Sequence, residues 1–214
     1  MDDELKNARM SLGHILHDTE PLSVQDYTLI GKFIQSYCSA DFEARRVINS
    51  LSYIRLGEST SFALKLNDKD TLEHLMACAD SCTWNADLAE GVRKVAEIFV
   101  MHRQLRHIFA HWSGRRVPGY AALIFITKSL DKQRLPKDAV MFEQEDDANT
   151  QYSLISISNV LQEQAKLEEN SKYLANIAAQ LESKATDIAC QFAQDIADGK
   201  LESKPYKPHE INRA

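Results

Sequence analysis

The chain has 214 residues, 44% of them apolar and 26% charged, with a net charge of −6. That length holds one globular domain, with or without an appendage, and the acidic balance argues against wholesale coating of nucleic acid while leaving room for a local phosphate site. No apolar run approaches the ~20 residues of a membrane span, and the opening MDDELKNARM lacks the basic and apolar parts of a signal peptide.

Residues 3–18 carry Met10, Leu12, Ile15 and Leu16 and are expected to form a short helix. Ser23-Val24-Gln25-Asp26 has the spacing of a capping box, with Asp in place of the usual Glu or Gln. The helix it starts carries Leu29, Ile30, Phe33 and Ile34. Ser39 reads as the cap of a further segment, in which Phe42, Val47, Ile48, Leu51 and Ile54 recur at helical spacing. Residues 57–61 (GESTS) are expected to form a loop. Asp68 or Asp70 starts a short helix holding Leu72, Leu75, Met76 and Ala79. Thr83 or Asn85 caps a longer one, with Leu88, Val92, Val95, Phe99, Ile108 and Trp112 on its apolar stripe, and Gly114 and Pro118-Gly119 close it.

The pattern then changes. Residues 120–127 (YAALIFIT), 139–142 and 152–157 are strand candidates, with Asp131-Lys132 and residues 146–149 supplying turns. Residues 120–157 therefore read as a small β insert. From about 158 to 198 the pattern is helical, without Gly or Pro. Leu167, Leu174, Leu181 and Ile188 recur every seven residues, and Ser171, Ala178, Ala185 and Phe192 fall four after each. Such a heptad seam is expected to pack inside the chain rather than between chains. Gly199 stops it, and the polar tail 200–214, with its two prolines, is expected to be disordered. The expected fold is all-α: a single domain over residues 1–199, an antiparallel helical bundle with a small β-hairpin insert and a long C-terminal helix. Four scattered cysteines make no disulfide framework, so a cytoplasmic location is expected.

Most of the functional information lies in Arg106-His107-Ile108-Phe109-Ala110-His111. Polar, basic residues sit there among apolar ones, and His102, Arg103, Arg115 and Arg116 add donors and charge nearby. A basic cluster in an acidic chain marks a place where something negative is held. The planar fork of Arg106 matches a phosphate, and His111 can take and give a proton near neutral pH. Together they suffice for metal-free cleavage of RNA. His111 would activate the ribose 2′-OH or protonate the leaving 5′ oxygen. Arg106 would stabilise the pentavalent phosphorus centre, and His107 would hold the phosphate or orient the pair. Arg103, Arg115 and Arg116 are the candidate RNA contacts beside the motif, and Arg45-Arg46 and Lys128 would extend the track. Five residues rotate an ideal helix by about 140°, so Arg106 and His111 do not share a face. They converge only if the helix ends near His111 or if two copies of the segment meet across a two-fold axis.

An Arg, a polar residue, three further residues and a His near the end of a long helix resemble the motif of the HEPN superfamily. Its members commonly carry Arg-Asn or Arg-Asp, then three residues and His; here the polar position is His107. The segment IGKFIQSYCSADFEARRVINSL, with Phe42-Glu43 inside it, resembles the opening helix of such domains. The insert and long final helix are similar to one group of bacterial HEPN-like proteins. The resemblance covers about residues 24–197, and its specific part is the hexapeptide. It implies a four-helix core, a homodimer and metal-independent endoribonuclease activity without a cofactor. In that family pattern Arg106 and His111 match the catalytic pair and His107 the polar position. The implied products are a 2′,3′-cyclic phosphate and a 5′-hydroxyl. Ser113 stands where some toxin members place a tyrosine, and many HEPN-like domains are non-catalytic.

Other readings of the same residues stand beside this one. Cations at a helix C-terminus favour its dipole, so Arg106 and His111 could be purely structural in a dimeric helical interaction protein with an unidentified protein partner. His107 and His111, spaced i, i+4, would make half a zinc site, but the Glu of HExxH and a third ligand are missing. His74, Cys78 and Cys82 share a face without CxxC spacing. No metal or cofactor is expected.

Overall fold

In a computed structural model, the described residues are 7, 8, 10, 19–56, 66–81, 85–127 and 151–200. The capping box at Ser23 forms as its spacing requires. The Asp26 carboxylate accepts the Ser23 N–H at 2.8 Å and the Ser23 hydroxyl at 2.7 Å, while Ser23 Oγ accepts the Asp26 N–H at 3.2 Å. From there α1 runs unbroken over Val24–Leu56. Ser39 caps nothing: its hydroxyl donates to the Gln35 carbonyl at 3.2 Å and is satisfied inside the helix. Phe42, expected on the apolar stripe, is exposed.

Helix α2 spans Asp68–Ser81. Its cap is Asn67, one residue before the expected start, whose Oδ1 accepts the N–H groups of Lys69 and Asp70. Helix α3 spans Ala86–His111 and starts from Asn85, which accepts the Leu88 N–H at 3.0 Å. Trp112 turns extended, and the chain passes directly into β1 (Ser113–Arg116). With β2 (Ala122–Thr127) and β3 (Gln151–Ser156) it forms a three-stranded antiparallel sheet in the order β1-β2-β3. The sheet therefore begins at 113, not 120, and Pro118-Gly119 turn a hairpin rather than end the helix. Gly119 takes φ +76°, a conformation that favours glycine. Ser156 caps α4, which runs over Ile157–Ala197. Of the expected helix 3–18, Asn7, Ala8 and Met10 are described and helical. The expected strand 139–142, Cys82, Thr83, Lys128 and the tail 201–214 lie outside the described residues.

Helix α3 packs antiparallel to α1, with Phe33 against Phe109 (ring centroids 5.2 Å apart) and Tyr37 against Phe99 (6.2 Å). It is antiparallel to α2 as well, with Arg93 meeting Asp80 at one end and Arg106 meeting Asp68 at the other. The expected all-antiparallel bundle needs one correction, because α1 and α4 run parallel. Ser36 contacts Glu168 and Arg46 contacts Glu182, a near-constant offset in the same direction. The reason is topological: α4 leaves the sheet at the end where α3 finishes and returns antiparallel to α3, as α1 does.

The heptad seam packs inside the chain. Leu167, Leu174 and Leu181 are fully buried in the same core as Phe33, Ala40 and Val47 of α1, which also recur every seven residues. The seam outruns the core, and Ile188 and Phe192 are exposed. Strand β2 is the middle of the sheet and alternates between two apolar clusters. Leu123 and Phe125 join the helical core, while Ala122 and Ile124 pack with Val117, Tyr152 and Leu154. Among the described residues, no helix is long and apolar enough to cross a membrane.

Candidate functional site

The last two turns of α3 are oriented by what they bury. Leu105, Ile108 and Phe109 face the core, and Phe109 lies between Phe33 and Phe125, with ring centroids 5.2 and 5.1 Å away. This wedge joins α1, α3 and the sheet, so Arg106, His107 and His111 are turned away from the core. His111 is exposed in the final turn, and its ring centroid lies 4.7 Å from that of half-buried His107, one turn earlier. Trp112 follows as the C-cap and packs against the core.

Arg106 points another way. Its Nη1 lies 3.4 Å from Asp68 Oδ2 at the first turn of α2, and its Nε is buried without an acceptor among the described residues. Arg103, Gln104, Arg106, His107 and Asp68 surround an opening of about 30 Å³. Tyr37 lies beneath this group, only 2% exposed. Burial, together with Asp68 and Asp41, pushes its phenol well above the ordinary range, against the opposing pull of Arg103 and Arg106. Within one chain the structure thus joins His107 to His111 and Arg106 to Arg103, with His107 between the two groups. Arg106 and His111 are not brought together, consistent with the turn of about 140° between them.

The other basic residues separate. Arg116 Nη1 donates to Asp26 Oδ1 at 2.7 Å, which ties the β1 edge to the capping box of α1. Burial would raise the Asp26 carboxyl, but its bonds from Ser23 and the Arg116 guanidinium outweigh that and hold it below the usual carboxylate value. Arg115 is exposed on β1. Arg45 bonds Asp41 and the Leu66 carbonyl, and Arg46 bridges Glu43 and Glu182.

His102 lies apart from this cluster. It is fully buried, its ring between Phe33 and Phe99, and its Nε2 lies 3.0 Å from Glu163 Oε2 on α4. Its Nδ1 has no hydrogen-bond partner among the described residues. Burial pushes the imidazole below its ordinary value, against the opposing pull of Glu163. His74 bonds the Asp70 carbonyl and Cys78 packs against the core. Among the described residues, no three His, Cys, Asp or Glu side chains are grouped to hold a metal ion.

Asp68 and Glu163 make these contacts from other helices, and neither stands out in the sequence as a partner of the motif. Nothing local marks them, because Asp68 reads as an ordinary acidic residue in a first turn and Glu163 is 61 residues from His102. Comparison with protein-family models, curated proteins and solved structures finds no match.

Proposed function

We propose that the C-terminal end of α3 is a phosphodiester-cleaving site and that the chain is a metal-independent, HEPN-like endoribonuclease. The observation that carries this reading is the histidine pair in the last turn: His111 exposed, with its ring 4.7 Å from His107, one turn along from Arg106. His111 acts as the general acid/base on the ribose 2′-OH or the 5′ leaving oxygen. Arg106 stabilises the negative charge that builds on the phosphorus centre. His107 lies between them and orients the phosphate, and Arg103 and Arg115 contact the neighbouring backbone. The products are a 2′,3′-cyclic phosphate and a 5′-hydroxyl.

Because Arg106 and His111 diverge on one helix, the working site is composite. A two-fold assembly places Arg106 of one copy beside His111 of another. Mixing variants tests this. Arg106→Ala and His111→Ala are each inactive alone, and a mixed dimer regains one intact site. Activity that never returns on mixing, although subunit exchange is demonstrated, contradicts the composite site.

A second reading has its own observation. Arg106 already meets Asp68, and Arg116 already meets Asp26, as in a purely structural network. On that reading the chain is a non-enzymatic helical interaction protein. Purified protein incubated with total RNA in EDTA separates the two: cleavage lost in His111→Ala and Arg106→Ala supports the ribonuclease. Folded variants with no change in cleavage support the interaction protein.

A further inference from the structure

The Arg106–Asp68 contact differs from its counterparts. The arginine ion pairs Arg116–Asp26, Arg45–Asp41, Arg46–Glu43, Arg46–Glu182, Arg93–Asp80 and Arg93–Glu90 close to between 2.6 and 2.9 Å. Arg106–Asp68 stands at 3.4 Å, beyond good hydrogen-bond length, through a single nitrogen. Its Nε is buried with no acceptor among the described residues. A guanidinium offers five donors in a fixed fork and is matched by an anion that takes two at once. Arg106 is therefore under-filled.

Two further observations bear on the same place. Arg103 lines the same opening and has no ion pair among the described residues, so the cluster of Arg103, Arg106 and Asp68 carries one positive charge in excess. Asp68 does not depend on Arg106 for its position. It sits in the first turn of α2, where the helix dipole favours a carboxylate, and Asn67 caps that turn independently.

We infer that Asp68 is the resident counter-ion of an anion seat formed by Arg106 and Arg103. It holds the seat loosely and gives way to a phosphodiester group, which takes its place on the Nη nitrogens of Arg106. Asp68 thereby acts as an electrostatic gate: weak anions do not displace it, whereas a polyanion with neighbouring phosphates does. The identity of the anion rests on the ribonuclease reading; the counter-ion role does not.

The test uses the full chain and a fluorescein-labelled 2′-O-methyl oligoribonucleotide, which cannot be cleaved by 2′-OH attack. Anisotropy is read at fixed ionic strength for wild type, Asp68→Asn and Asp68→Ser, with circular-dichroism melts as the folding control. Both variants are expected to bind roughly two- to fivefold tighter, the factor of a half-exposed ion pair. The gain should vanish when Arg106→Ala is added, and inorganic phosphate should compete at lower concentration against Asp68→Asn than against wild type. Unchanged or weaker binding in both variants overturns the inference. So does a gain that survives Arg106→Ala, or loss of folding in both Asp68 variants, which would make Asp68 structural. Wild type that cuts no RNA, together with a gain in Asp68→Asn, would sink the ribonuclease reading and leave the counter-ion role standing.

Discussion

The bond between Arg116 and Asp26 decides whether one candidate RNA contact is available to RNA. Asp26 is 2% exposed and accepts three bonds, two from Ser23 at 2.8 and 2.7 Å and one from Arg116 at 2.7 Å. The Arg116 side chain is 32% exposed. Exposed ion pairs contribute about 0.2–1 kcal/mol, and breaking a fully buried pair costs about 3–5 kcal/mol. One buried and one half-exposed partner place the coupling between these limits, at roughly 1–1.5 kcal/mol. Arg116→Ala should cost about 1.5 kcal/mol, near that coupling, because Asp26 keeps its Ser23 donors. Asp26→Asn should cost about 2 kcal/mol, since it weakens the capping box as well. The double variant should cost about 1–1.5 kcal/mol less than the sum. Urea unfolding at pH 7 reads this as midpoint shifts at constant slope. The folded-state pKa of Asp26 is lowered, so the charge contributes stability that is present above its unfolded value of 3.8 and is lost as pH falls through the lower folded value. The coupling should persist at pH 5 and shrink in strong acid. Single-variant effects that add to within about 0.3 kcal/mol would show the pair to be uncoupled and leave Arg116 free for a ligand.

Three other outcomes follow from the packing. His102 titrates below its ordinary 6.5 when folded, so the unfolded chain binds the extra proton. Stability should fall as pH drops from 6.5 through the folded value, and His102→Gln should flatten that slope in urea midpoints taken from pH 7.5 to 5. Leu174→Ala should cost about 2–5 kcal/mol, because the side chain is fully buried in the seam of α1 and α4. Ile188→Ala, on the same heptad but 40% exposed, should cost less than about 1 kcal/mol in the same denaturation assay.

Local chemistry was legible wherever a few adjacent residues determine it. The Ser23 box, the Asn85 cap and the apolar strand β2 follow from spacing and residue type, and the heptad of α4 announced a buried seam. Strand β1 did not show itself, because Ser113-Gly114-Arg115-Arg116 has no apolar alternation and is a strand through its pairing with β2 and, at Arg116, with Glu20. The break expected at Ser39 failed because a hydroxyl that bonds back four residues sits comfortably inside a long helix. The parallel course of α1 and α4 is a property of connection order that no segment carries alone.

At the candidate site the motif residues were visible and their partners were not. Arg106, His107 and His111 stood out by type and spacing. Asp68 and Glu163 act through the fold, from other helices, and have no signal of their own. His102 seemed to belong to the basic cluster because it lies four residues before Arg106. It is instead a core residue, which helical spacing allows and composition does not reveal.

The central claim is that His111 and Arg106 cut RNA without a metal. The direct measurement is incubation of purified protein with RNA in excess EDTA, with end-group analysis of the products, for wild type, His111→Ala and Arg106→Ala. Wild type should leave 2′,3′-cyclic phosphate ends, and His111→Ala should lose roughly 10²–10⁴-fold, the range of general acid–base catalysis, with Arg106→Ala similarly impaired. Cleavage that stops in EDTA, or that is unchanged in both folded variants, would contradict it.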